Sequence, residues 1–559
     1  MKSVQDTPNL ILHGGKIITL DVSQPLAHAV SISNGYIQAI GDNEKIIASA
    51  GQSTEILDLD GCTVVPGFND THAHMEREGL KKLRPSLADA NCIDDILNIV
   101  KTKADQTPAG QWIVTMPVGK PPHYFGGPET LAERRMPSRK ELDRAAPDHP
   151  VCISAVFANW GTPPGFTSLN SRALALNNIN GNTVPRCSGI DILLDDIGEP
   201  TGVIIEHNAR PAADFDLLTA VPRFGYLERL EGLRRSMAIY NSVGTTSIYE
   251  GHGCAAETIA AYRELWEHGE MTIRAALVLS PAWRDVKEAR SAIRDWLAFA
   301  RGRGMGDPWF TITGVHIALG GDPVVAEIAR ASLPNTGWSG FVEQANTLKE
   351  YREYCFAAAE YNLRVNTIVG DHLADVLPVL EAVNEKYPLA NRRWVIQHVA
   401  RTKTEELQRV KRLGLFVTTI PVYYLWKGGD GYADDPDCGE FVVPLRAMLD
   451  LGIPLSAGTD NIPYDPFFTL WCMATRQERL KDRVLGPRQR LSGKDALRLM
   501  TSEGAWLTYD ENRKGTLAQG LYADMAVLSD DPCEIATEAI LNLECEMTIV
   551  GGRIVHSKQ

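Results

Sequence analysis

The sequence predicts an α/β fold: a (β/α)8 TIM barrel with a composite β-sandwich built from both termini and an α/β insertion after the first barrel strand. Three observations predict it. Eight short β-prone runs alternate with helical segments through the middle of the 559 residues. Both ends of the chain read as short strands punctuated by turn signals. The first of the eight runs leads into Pro-Gly-Phe-Asn-Asp-Thr-His-Ala-His (66–74). In a strand, residues i and i+2 point to the same side, so His72 and His74 can grip one metal ion.

The elements follow in order. Leu10-Ile11-Leu12-His13 and Lys16-Ile17-Ile18-Thr19-Leu20 flank Gly14-Gly15, and Val30-Ser31-Ile32 and Tyr36-Ile37-Gln38-Ala39-Ile40 flank Asn34-Gly35. Both read as hairpins. The C-terminal end repeats the pattern, with strands at 523–528, 547–550 and 553–555, and Gly-Gly-Arg-Ile echoes the earlier Gly-Gly-Lys-Ile. Neither half has enough strands for a core of its own, so residues 1–62 and 509–559 are read as one sandwich. Residues 63–508 form the barrel domain. Its expected strands are 63–69, 245–250, 272–279, 311–317, 364–369, 394–399, 415–420 and 454–459. Helical pattern fills 255–268, 285–301, 346–361, 371–386, 403–413 and 440–451. The interval from about 80 to 235 is too long for one crossover and is Pro- and Gly-rich in places. It is read as an inserted α/β subdomain capping the barrel mouth.

Composition narrows the function. Lys and Arg number 56 against 70 Asp and Glu, a net charge of −14, which disfavours a phosphate-backbone partner. No run approaches a membrane span, and the N-terminus lacks the apolar stretch of a signal peptide. The cysteines are scattered without a Cys-x-x-Cys pair, as in a reduced, cytoplasmic protein. The expected partner is a small-molecule substrate, with no nucleic acid and no membrane. Homo-oligomerisation is left open, since barrel exteriors often pair.

Barrel enzymes keep their reactive residues at the C-terminal ends of the strands. Strand one there gives His72 and His74. Strand two gives Glu250, with His252 beyond it. Strand four carries His316, strand five ends at Thr367 before Gly370-Asp371-His372, strand six ends at His398, and strand eight ends at Asp460. Six of the 13 histidines thus fall at one rim, which scattered core histidines would not do. Bland roles compete at each position. Asp460 can cap a helix before Asn461-Ile462-Pro463. His398 and His316 can be satisfied core residues, Glu250 and His252 loop polars, and His372 the neighbour of an Asp at a helix start. Tyr423, Tyr424 and Trp426, after strand seven, either line an apolar substrate pocket or pack the loop 421–440.

The chain resembles the amidohydrolase superfamily, specifically its YtcJ-like branch, over nearly its whole length. The resemblance rests on residues 66–74, Gly-Glu-Pro-Thr-Gly-Val-Ile-Ile-Glu (198–206), Val-Ile-Gln-His (395–398), Ala-Gly-Thr-Asp (457–460) and Lys-Gly-Thr-Leu-Ala-Gln-Gly-Leu-Tyr-Ala-Asp-Met-Ala-Val-Leu (514–528). It implies a metal-dependent hydrolase of amide or related C–N bonds, holding one or two divalent ions. Zinc is the first expectation, with manganese, iron, cobalt or nickel also compatible. His72, His74, His398 and Asp460 match family positions. Two positions depart from the branch: His316 stands where a bridging lysine or carboxylate is usual, and Thr367 where strand five usually ends in His. The expectation is a mononuclear site using His72, His74, Asp460 and His316, with His252 or His372 as replacements.

In such a site the ion makes a water acidic near neutral pH. Asp460 takes its proton and passes it to the leaving nitrogen. His398 holds a second ion or the developing oxyanion, His316 is a ligand or an electrophilic donor, and Asp371 orients a ring nitrogen. Two alternatives remain: a non-hydrolytic relative such as a decarboxylase or isomerase, and a metal-free binding protein on a degenerate barrel.

Overall fold

The computed structural model describes residues 7–157, 160–208, 212–434 and 439–558. The chain divides into two compact units. One comprises Met1–Met75, Ser236–Gly320 and Asn346–Gln559; the other comprises Glu76–Arg235 and Gly321–Ala345.

The first unit holds the barrel. Its strands are Phe68–Asp70, Thr245–Cys254, Arg274–Leu279, Phe310–His316, Val365–Ile368, Val395–Gln397, Phe416–Thr419 and Leu455–Ala457. Each pairs in parallel with the next. Their apolar runs are buried on both faces, as parallel strands require. Ile396, Val417 and Leu455 pack with helix residues such as Val376, Leu380 and Val410 in one large core. Tyr249, Val278, Val395 and Phe416 meet Leu507 in a smaller cluster.

No ladder joins the first strand to the eighth among the described residues. Individual bonds close this seam. Asp460 N donates to His72 O at 2.8 Å, His74 N to Asn461 Oδ1 at 2.7 Å, and Ser456 Oγ to Thr71 Oγ1 at 2.8 Å. Asp70 accepts from Thr459 N at 2.9 Å, from Thr459 Oγ1 at 2.5 Å and from His72 N at 3.2 Å.

The run expected as one strand over 63–69 serves two sheets. Thr63–Pro66 pairs antiparallel with Met525–Leu528 in a six-stranded sheet drawn from both ends of the chain. Pro66 has no ladder donor to give. At Gly67 a Cβ would lie 2.2 Å from the Thr246 side chain, so only glycine passes the chain to the barrel here. A second, four-stranded sheet comes from the N-terminal residues, and the two share a core of Leu10, Leu12, Val30, Val64, Met525, Val527 and Ile549. The helix expected over 440–451 spans only Leu445–Asp450, because Pro444 disfavours helix in the residue before it. Val422–Lys427, expected as loop, forms a short wide-turn helix.

The second unit is a five-stranded sheet, from Ile190–Leu194 through Pro200–Glu206, Gly165–Leu169 and Val151–Ile153 to Ile113–Thr115, with helices such as Ile93–Asp105 and Arg139–Ala145. It takes in residues 321–345, which the sequence left within the barrel. Their helix Pro323–Ala331 packs Val325, Ile328 and Ala329 into the unit's core. No helix of the described residues is long and apolar enough to cross a membrane.

Candidate metal centre

Strand one ends at Asp70, and residues 71–74 continue it as an unladdered segment. Its two edges still alternate. Ala73 N bonds Tyr249 O of strand two, while His72 and His74 bond across the seam to strand eight. This alternation puts both imidazoles on one side without a regular strand. They are buried, at 0% and 5% exposure, so each must be satisfied inside the protein.

Strands six and eight bring in His398 and Asp460. Both residues take positive φ, 56° and 53°, a conformation non-glycine residues adopt where the surroundings impose it. His398 Nε2 lies 3.0 Å from His72 Nε2. Asp460 Oδ1 is 3.3 Å from His74 Nε2 and 3.9 Å from His72 Nε2, and its Oδ2 is 3.9 Å from His398 Nε2. His398 Nδ1 meets the Tyr424 hydroxyl at 3.1 Å.

Strand two runs further than expected, to Cys254, and its register with strand three shifts after Glu250. Gly253 has φ of 89°, and a Cβ there would press on Ser280 and on His316 Cβ at 3.0–3.1 Å. The irregular end brings His252 to the cluster. Its ring centroid is 5.6 Å from His74, 6.4 Å from His72 and 4.8 Å from His316. Glu250 Oε1 accepts from Met75 N and from the Tyr262 hydroxyl, each at 2.9 Å, while Oε2 lies 3.7 Å from His74 Nδ1.

Burial shifts these imidazoles toward their neutral form. Burial, then the adjacent His398 ring, holds His72 well below its ordinary pKa. Burial and then His316 do the same to His252, and burial takes His316 down to about 3. Burial also lowers His398. Burial pushes the Asp460 carboxyl up, but the His74 hydrogen bond and the adjacent His398 and His72 rings outweigh it, leaving it well below the carboxylate range. Burial raises Asp70 to about 7 against its hydrogen bonds from Thr459 and His72.

Two triads have their ligand atoms within 4.8 Å of one another: His72, His74 and His252, and His72, His398 and Asp460. The His72 Nδ1 atom is buried without a hydrogen bond. Neutral imidazoles around one ionised carboxylate suit a borderline divalent ion such as zinc, and not the all-oxygen shells of calcium or magnesium. The donor set fits the ion that the sequence anticipates.

The other expected residues lie as follows. The Tyr423 and Tyr424 rings face His398 at 6.2 and 5.9 Å. Trp426 instead packs edge-on against Phe468 at 5.0 Å. His372 is exposed and pairs with Asp375 at 3.3 Å, outside the histidine cluster. Asp371 accepts from the Tyr432 hydroxyl and from Arg401 N, at 3.0 Å each, and among the described residues no hydrogen bond joins it to a ring nitrogen of the cluster. Asn366 points into the barrel, where its Oδ1 accepts from the Tyr249 hydroxyl. Strand alternation therefore turns Thr367 toward the helices, away from the cluster. Lys427, which drew no attention in the sequence, is 6% exposed; burial lowers its pKa to about 7 against the pull of Asp460. Its one sequence signal is a lysine in an aromatic run.

A family model described as "Amidohydrolase family" matches residues 55–556. The chain belongs to the amidohydrolase family. This amidohydrolase is 25% identical to the N-substituted formamide deformylase of Arthrobacter pascens, over 97% of each chain. It is also 25% identical to YtcJ of Bacillus subtilis (strain 168), named as an amidohydrolase, over 98% of this chain and 99% of that one. Among solved structures it resembles an uncharacterized metal-dependent hydrolase from Pyrococcus horikoshii OT3, with a TM-score of 0.68, 21% identity and coverage of 95% and 99%. It also resembles the zinc complex of atrazine chlorohydrolase from Arthrobacter aurescens, with a TM-score of 0.52, 14% identity and coverage of 98% and 95%. These structural likenesses establish the amidohydrolase's barrel fold.

Proposed function

We propose that this amidohydrolase hydrolyses the C–N bond of a small N-formyl, N-acyl or cyclic amide, using one divalent ion, zinc first among the candidates, held at the histidine cluster. The observation that carries this reading is the convergence of His72, His398 and Asp460, three buried groups with ligand atoms within 4.8 Å, beyond the C-terminal ends of strands one, six and eight. A divalent ion, when bound, supplies Lewis acidity: it polarises a carbonyl and makes water acidic near neutral pH.

The protein's own groups do the rest. Asp460 is kept ionised and takes a proton from the attacking water. The water oxygen bonds to the carbonyl carbon, the C–N bond breaks, and the proton leaves on the departing amine. The products are an amine and a carboxylate, formate where the substrate is a formamide. The Tyr424 hydroxyl holds the His398 ring so that Nε2 faces His72 and Asp460. The full-length likeness to a formamide deformylase supports N-substituted formamides as the first substrates to try.

The test is release of formate or amine from a panel of N-substituted formamides, N-acyl amines and cyclic amides by zinc- or manganese-loaded protein. We expect turnover that falls by about 100-fold or more in Asp460→Asn. Protein that holds its metal yet turns over no member of the panel would overturn C–N hydrolysis.

A further inference from the structure

A cavity of about 480 Å³ opens in the first unit between the terminal sandwich and the N-terminal end of the barrel strands. Small-molecule sites run from roughly 300 to 1,000 Å³. Tyr36 and Tyr522 line it from the sandwich, Asp307 from the turn before strand four, and Arg303 from the chain leading into the short strand Met305–Gly306. Asp510 and Arg513 reach it from the chain after the helix Ser502–Leu507. Strand four runs from Phe310 to His316, so the cavity and the histidine cluster lie at opposite ends of the barrel.

The charges here are not evenly matched. Asp307 Oδ1 is taken by Trp309 N and Phe310 N, at 2.8 and 3.0 Å. Asp510 is shared by two cations, Arg513 at 3.5 Å and Lys514 at 3.9 Å. The Arg303 guanidinium makes no hydrogen bond or ion pair among the described residues, and Glu511, which feels its charge, is held by Arg393 at 2.5 Å. In a chain of net charge −14, this leaves the cavity with cation to spare. A guanidinium fork matches a carboxylate in shape and charge. Beside it stand two rings, with Tyr36 and Tyr522 centroids 5.3 Å apart. Arg274 pins the Tyr522 ring at 4.2 Å, and a bridge pairs the two tyrosines' backbones, so the aromatic wall is preformed.

We propose that this cavity is a second small-molecule site, binding a flat aromatic carboxylate with its ring against Tyr36 and Tyr522 and its anionic group on Arg303 and Arg513. The site stands apart from the metal-dependent reading above and does not rest on it.

The test is isothermal titration calorimetry of full-length protein with naphthoate and with uncharged naphthamide. Metal-depleted protein is used, so that the acid cannot bind through an ion. We expect one naphthoate site per chain. Binding should be about 10-fold weaker for naphthamide and in Arg303→Gln, and about 100-fold weaker in Arg303→Gln/Arg513→Gln. Tyr36→Ala should lose about 10-fold for both compounds, since it removes ring contact and no charge. No binding of naphthoate up to about 1 mM would overturn the proposal. So would wild-type affinity in Arg303→Gln, or equal affinity for acid and amide. Should the double variant fail to fold by circular dichroism, Arg303→Gln decides, because Arg303 is exposed and unpaired.

Discussion

Asp70 sits at the barrel seam, 2% exposed, and takes hydrogen bonds from His72 N, Thr459 N and Thr459 Oγ1. Burial raises its pKa from the ordinary 3.8 to about 7. The folded protein therefore binds this proton more tightly than the unfolded chain does. The stability that Asp70 contributes is fully present below about pH 4 and is lost as pH rises through about 7. The shift is about three units, or about 4 kcal/mol at most. Asp70→Asn replaces the carboxylate with a neutral acceptor of the same shape at every pH. In chelator-treated protein, the variant should match the wild type near pH 4 and exceed it by up to about 4 kcal/mol at pH 8. Asp70→Ala is the opposite perturbation. It strands two buried backbone donors and should destabilise the protein at pH 4 by about 2–6 kcal/mol. Urea unfolding of the three proteins at both pH values, followed by tryptophan fluorescence, reads these differences. If Asp70→Asn tracks the wild type at pH 8, the buried carboxylate carries no ionisation penalty and the linkage argument fails.

Two further outcomes follow from contacts elsewhere. Arg274 binds Asp524 through Nε and Nη2 at 2.6 and 2.9 Å, between the rings of Trp309 and Tyr522, so Arg274→Met leaves a buried carboxylate without its cation. Thermal unfolding should show a loss of about 3–5 kcal/mol, largely recovered when Asp524→Leu is added; an unchanged midpoint in the single variant would refute the pairing. Tyr424→Phe removes the hydroxyl on His398 Nδ1. Its kcat should fall about 10- to 100-fold with bound metal unchanged, whereas a lower metal content at full kcat would assign Tyr424 to ion binding instead.

The strand-one pair was legible because residues two apart share a side in extended chain, and that holds even though the ladder stops at Asp70. His398 and Asp460 were legible from their positions at strand ends. His252 was legible as a rim residue beyond strand two but read as a loop polar, because in sequence Gly251 and Gly253 look like a loop, whereas in the fold strand two runs on irregularly through them toward His316. Thr367 misled in the opposite way, because only the inward side chain of Asn366 shows which parity of strand five faces the barrel. His372 stood near the rim in sequence, yet the start of helix Leu373–Lys386 leaves it in solvent with Asp375.

The sequence by itself determined the local periodicities, and with them the eight alternating strands and helices, the strand-rich ends and the His-x-His pair. These depend on backbone geometry and side-chain alternation over a few residues. The tertiary structure alone decided which rim residues converge, how strands one and eight close without a ladder, and that His72 belongs to two triads at once. Those features depend on distances between residues hundreds of positions apart, set by strand register and by bonds such as that of Asp460 N to His72 O, and no local pattern encodes them.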